Sequence, residues 1–141
     1  MALLTVEKEG LYCPSGDFYI DPWEPVNRAV IPHGHADHAR PGSKSYYTTP
    51  ETAAVMACRF GNALGDATFQ AVSYGKTVEI DGVSVSFYPA GHVYGSAQVR
   101  LTQGSQRWLV TGDFKRHRDP TCAPFESVTA EVVVTEATFG L

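Results

Sequence analysis

Short apolar runs broken by turn-forming residues set the rhythm of this chain, and that rhythm is mainly β. Phe18-Tyr19-Ile20 stops at Asp21-Pro22, and Arg28-Ala29-Val30-Ile31 stops at Pro32, so each run ends where proline withholds a ladder donor. Thr77 to Ile80, the Asp81-Gly82 turn and the strictly alternating Val83-Ser84-Val85-Ser86-Phe87 predict a hairpin. Ala97 to Leu101 and Arg107 to Val110 flank Gln103-Gly104-Ser105 and predict a second one. The final apolar run, Glu131 to Thr135, has a Val-Val-Val centre, as in a strand buried on both faces. One segment breaks the pattern: Thr49 as N-cap, Pro50 in the first turn, Glu51 early, a body to Cys58 and Gly61 as a stop predict a helix. Strands dominate, helices are few, and the polar motifs sit at strand ends.

With 141 residues the chain allows one domain with a modest core. Its 43% hydrophobic and 18% charged residues are those of a globular chain rather than a disordered or fibrous one. No apolar run approaches the roughly 18 residues of a membrane span, and with acidic residues within the first ten positions and no long apolar core there, neither a signal peptide nor an anchor is expected. Cys13, Cys58 and Cys122 form no CxxC pair, so they read as buried thiols in a reducing cytoplasm rather than as disulfides or thiolate zinc ligands. The net charge of −4 gives no overall basic field, so a phosphate-bearing substrate would need a local device such as a metal.

Three of the five histidines fall within six residues, His33-Gly34-His35-Ala36-Asp37-His38. Chance would produce that pattern about 3 times in 10,000. Gly34 and Ala36 keep the loop free of bulk, so imidazoles and a carboxylate can converge as a borderline metal such as zinc requires. Gly91-His92-Val93-Tyr94-Gly95-Ser96 puts His92 on a loop after an alternating strand, and Gly112-Asp113-Phe114 puts Asp113 directly after another. Each is weak evidence taken singly, but all share strand-end placement. His117, within Lys115-Arg116-His117-Arg118, reads as an ordinary histidine among solvated cations.

The order HGHADH, GHVYGS, TGDF resembles the metallo-β-lactamase superfamily. Within it, IDPWEPVNRAV leading into HGHADHARPGS, PAGHVYGSAQV, and GDFKRHRDPTCAPFE leading into VVVTEATFGL resemble the bacterial ligase-associated DNA exonucleases of the β-CASP branch, from about Gly10 onward. The resemblance implies an α/β (α+β) fold, the N-terminal half of an αββα sandwich, β-rich with few helices. It implies that residues 1–141 are the N-terminal part of the domain, without the β-CASP insert and C-terminal half.

By the same resemblance His33, His35 and His92 hold a first zinc, Asp37 and His38 a second, and Asp113 bridges the two. Asp37, Asp113 and Glu136 are then the catalytic carboxylates, Glu136 matching an acidic motif that hydrogen-bonds a later histidine. Asp21 matches an early aspartate that orients the metal loop, and Arg40, Lys115 and Arg116 are candidate phosphate contacts. Spacing by itself leaves Asp21 a turn former before Pro22 and Glu136 a strand-end carboxylate.

The implied activity is that of a cytoplasmic zinc-dependent DNA exonuclease associated with a DNA ligase in repair, in which metal-activated hydroxide attacks phosphorus. The family's late histidines, a general acid and a second-zinc ligand, have no counterpart up to Leu141, so the isolated chain is expected to bind its first zinc better than its second and to cleave DNA poorly. Three alternatives stand beside this one: an RNA-processing nuclease of the same branch, a thioester or lactam hydrolase of the superfamily, and a non-catalytic metal-binding remnant.

Overall fold

The computed structural model describes residues 2–33, 39–91, 94–112 and 123–135. In chain order these form β1 (Thr5–Glu7), β2 (Gly10–Cys13), β3 (Phe18–Ile20), β4 (Arg28–Val30), β5 (Ser45–Thr48), α1 (Pro50–Phe60), β6 (Thr68–Ala71), β7 (Thr77–Ile80), β8 (Val83–Pro89), β9 (Ala97–Gln103), β10 (Gln106–Gly112) and β11 (Val132–Thr135). A 3-10 turn, Gly61–Leu64, follows α1. The first six strands make one mixed sheet in sequence order, and the last five make a second, ordered β11-β10-β9-β8-β7.

The two sheets face each other across the main core. Phe18, Ile20 and Val30 of the first meet Val83, Val85, Phe87, Val99 and Leu101 of the second, all of them buried. Because successive strand residues point to opposite faces, Ala29 and Tyr46 turn the other way and pack with Met56 of α1. The layers are therefore helix, sheet, sheet. Helix α1 starts as its sequence predicts, with Thr52 N donating to the Thr49 side chain, and ends at Gly61.

Both hairpins form. Ile80 pairs with Val83 across Asp81-Gly82, and Gln103 pairs with Gln106 across Gly104-Ser105. At the end of the sandwich where β4 begins, Arg28 and Asp81 join the sheets through an ion pair of 2.7 Å. Both side chains are partly in water, so this pair contributes at most about 1 kcal/mol.

Three expectations are corrected. β4 stops at Val30 rather than Ile31. β11 begins at Val132 and, among the described residues, pairs only with β10 at the edge of its sheet, with Val132 37% and Val133 53% exposed. Cys58 is exposed, since Thr52 and Met56 mark the buried side of α1 and Cys58 falls off it, whereas Cys13 is fully buried. Cys122 lies outside the described residues.

Burial pushes the Cys13 thiol pKa up, so it stays protonated as well as shielded. Brief iodoacetamide treatment of the folded chain near pH 8 is therefore expected to label Cys58 and spare Cys13, with both labelled after denaturation; peptide mass spectrometry reads the difference. Labelling of Cys13 at the rate of Cys58 would contradict this packing.

Candidate metal centre

Five chain segments that lead into the sequence motifs end at one edge of the sandwich. β3 and β4 run parallel, with Ile20 beside Val30, so Asp21 and the Ile31–His33 segment leave the sheet side by side. Asp21 N donates to Val30 O at 2.9 Å, and Asp21 takes a left-handed backbone (φ +55°). Aspartate is one of the few non-glycine residues that tolerates this conformation, which Asp17 and Asp81 also adopt, in keeping with a turn-forming role.

His33, 1% exposed, follows directly, and the two sheets meet there: Ala97 N, at the start of β9, donates to Pro32 O at 2.9 Å. Pro89, the last residue of β8, pairs with Ala97, so the connection carrying His92 opens at the same edge. Its base is closed by Ala90 N donating to Ser96 O at 3.3 Å. β10 runs antiparallel to β9 and returns to this edge, where Gly112 lies beside Thr135 of the parallel β11. The residues that follow these last two are Asp113 and Glu136.

His35, Asp37, His38, His92, Asp113, Lys115, Arg116 and Glu136 lie outside the described residues. Of the site residues read from the sequence, the structure thus describes His33, Asp21 and Arg40. Among the described residues no three His, Cys, Asp or Glu side chains form a metal-binding group. His33 and Asp21 share the edge; Arg40 is exposed on the returning limb of the histidine loop. That limb is fixed by Tyr46, whose hydroxyl donates to Arg40 O at 2.6 Å and accepts from Ser43 N at 3.0 Å, while its ring stacks on Phe69.

Groups invisible to motif reading hold the other loop. Gly95 O accepts from Thr49 Oγ1 at 2.8 Å and from Thr52 Oγ1 at 3.1 Å, and Ser96 O accepts from Tyr74 Oη at 2.7 Å. Gly95 (φ +79°) comes so close to α1 that a Cβ there would lie 2.8 Å from Thr52 N. The glycine in GHVYGS was the one sequence signal of this approach.

No family model matches the chain. It is similar to a protein of Opitutus terrae named probable DNA ligase, 33% identical over 133 residues, which are 93% of this chain and 13% of that one. It is also similar to the endoribonuclease YSH1 of Saccharomyces cerevisiae, 33% identical over 73 residues, covering 50% of this chain and 9% of that protein. The chain spans about a tenth of the length of these curated relatives. Among solved structures, Zn(2+)-bound PqqB from Methylobacterium extorquens superposes on 62% of this chain and 41% of its own with a TM-score of 0.51 at 14% identity.

The fold is that of the metallo-β-lactamases. At 14% identity the likeness to PqqB shows the fold alone. The helix-sheet-sheet layering, with two mixed sheets and one α-helix among the described residues, agrees with the expected β-rich α/β (α+β) fold. No helix among the described residues is long and apolar enough to cross a membrane.

The donor set is chemically suited to zinc. The four imidazoles of His33, His35, His38 and His92 and the two carboxylates of Asp37 and Asp113, set among small residues in the sequence, match the nitrogen and oxygen ligands zinc takes, and His33 is buried where the strand ends meet.

Proposed function

We propose that this chain is the metal-binding portion of a zinc-dependent phosphodiesterase that cuts nucleic acid, with DNA as its first substrate. The observation that carries the reading is the convergence on one edge of the sandwich of the strand ends that lead into Asp21, His33, His92, Asp113 and Glu136. The relatives' names, a DNA ligase and an endoribonuclease, support a nucleic-acid substrate, and the zinc in PqqB supports the metal. The β-CASP branch, exonuclease action beside a DNA ligase in repair, and a cytoplasmic setting belong to this proposal.

His33, His35, His92 and Asp113 would hold one zinc, and Asp37, His38 and Asp113 a second. When bound, the metal supplies Lewis acidity, lowering the pKa of water and offsetting charge on phosphate oxygens. Asp37 and Asp113 orient the attacking water and take its proton. Glu136 positions an acid for the leaving sugar oxygen. Asp21, at the end of β3, steadies the histidine loop beside it, and Arg40, Lys115 and Arg116 bind backbone phosphates flanking the cut.

RNA is the second reading, favoured by the likeness to the endoribonuclease over half the chain. End-labelled DNA and RNA strands, a chromogenic lactam and a glutathione thioester are incubated with the zinc-loaded chain. Slow, chelator-sensitive cleavage of DNA in preference to RNA is expected. Faster cleavage of RNA would put the second reading first. Hydrolysis of lactam or thioester with neither nucleic acid cut would overturn the proposal.

A further inference from the structure

The connection from β8 to β9 is tied to its surroundings by three hydroxyls. Thr49 and Thr52, 1% and 0% exposed, both donate to Gly95 O, and Tyr74, from the segment between β6 and β7, donates to Ser96 O. These two carbonyls lie three and four residues after His92. Capping of α1 accounts for only part of this. The Thr49 hydroxyl accepts from Thr52 N at 3.2 Å as any N-cap does, and still uses its own proton on Gly95 O.

The Thr52 hydroxyl, unlike its backbone N–H, has no role in capping. A threonine inside a helix usually faces water or bonds back to its own helix. Here it is fully buried and its hydroxyl crosses to another segment. Tyr74 comes from a third segment and does the same for the next carbonyl. A carbonyl with both lone pairs taken by buried O–H donors, followed by a second bonded carbonyl, leaves this limb little freedom. The order at Gly95 and Ser96 is then set by folding and is not taken from metal binding.

We propose that Thr52, together with Thr49 and Tyr74, is a positioning residue of the metal centre, fixing the backbone that follows His92 so that zinc binds a preorganised loop. The proposal rests on the reading of His92 as a zinc ligand. Groups of this kind, one step removed from the metal, typically change affinity by about 10–100-fold.

The test is zinc affinity of the 141-residue chain by competition with a chromogenic chelator, with melting of each variant in excess chelator as the measure of fold. The variants are Thr52→Val, Thr52→Ser, Tyr74→Phe and His92→Ala. Thr52→Val and Tyr74→Phe are each expected to weaken zinc binding about tenfold, while Thr52→Ser stays within twofold of the parent. A purely structural role would lower the metal-free melting temperature and leave affinity unmoved among the molecules that remain folded. If Thr52→Val does not fold, Tyr74→Phe decides, since it removes one hydroxyl from a different segment. Parent-like affinity in the valine and phenylalanine variants, with His92→Ala weakened, overturns the positioning role and leaves His92 a ligand. Parent-like affinity in His92→Ala overturns both.

Discussion

Replacing Gly95 by alanine is expected to lower stability by about 2–5 kcal/mol, from two costs that act together. The left-handed backbone at φ +79° costs a side-chain-bearing residue roughly 1–2 kcal/mol. The added Cβ would also sit 2.8 Å from Thr52 N and 2.9 Å from Thr52 Oγ1, and a helix backbone cannot give way as a flexible side chain can. Relieving that overlap moves the loop off α1 at the point where two hydroxyls hold Gly95 O, adding the roughly 1–3 kcal/mol of an overpacked site. Gly104 is the internal control. It too has a positive φ (+58°), but nothing lies within 4 Å of its Cβ position, so Gly104→Ala incurs only the conformational cost. Urea unfolding of both variants reads the difference, and equal losses would mean that the loop does not press on α1 as described.

His33→Ala is expected to reduce zinc affinity by more than 100-fold, beyond the 10–100-fold typical of groups one step from a metal. His33 sits three residues beyond β4, 1% exposed, where Pro32 O links the two sheets, so no solvent-mobile side chain can take its place. Binding to the folded state alone raises stability, by about 2.7 kcal/mol at a zinc concentration one hundred times the dissociation constant. The parent should therefore melt at a higher temperature on adding zinc, and the variant should not. His117→Ala, outside the ligand set, should respond as the parent does. A zinc-induced rise in His33→Ala equal to the parent's would remove His33 from the site.

The legible parts of the fold were those with local signals. Helix α1 announced itself through Thr49, Pro50 and Gly61, and both hairpins through a turn between alternating runs. β1, β2, β5 and β6 left no such mark. Each has three or four residues, and β5 and β6 are set by parallel pairing with chain far away in sequence, as Ser45 with Thr68 shows. The valine run of β11 signalled a strand but not its place, because apolar content does not say whether a neighbour covers the second face. Cys58 was misjudged for a related reason: cysteine is buried on average, whereas its angular position on α1 decides the individual case.

The site divides in the same way. His33 to His38 stood out because the candidate ligands are packed into six residues, His92 and Asp113 drew notice only by strand-end placement, and the resemblance carried by the later motifs gave them their expected roles and added Glu136. That their strands end at one edge needed the sheet order and the Ala97–Pro32 hydrogen bond. Thr52 carried no sequence signal at all. Within a helix it reads as a weak helix former, and its partner is a carbonyl 43 residues away.

The metal itself is the centre of this account, and zinc per chain measures it most directly. Elemental analysis of the purified 141-residue protein is compared with that of an Asp113→Ala, His35→Ala double variant, both confirmed as folded. One to two zincs per chain in the parent and almost none in the variant is the predicted result. A folded parent that carries no zinc, even after incubation with the metal, would contradict the account.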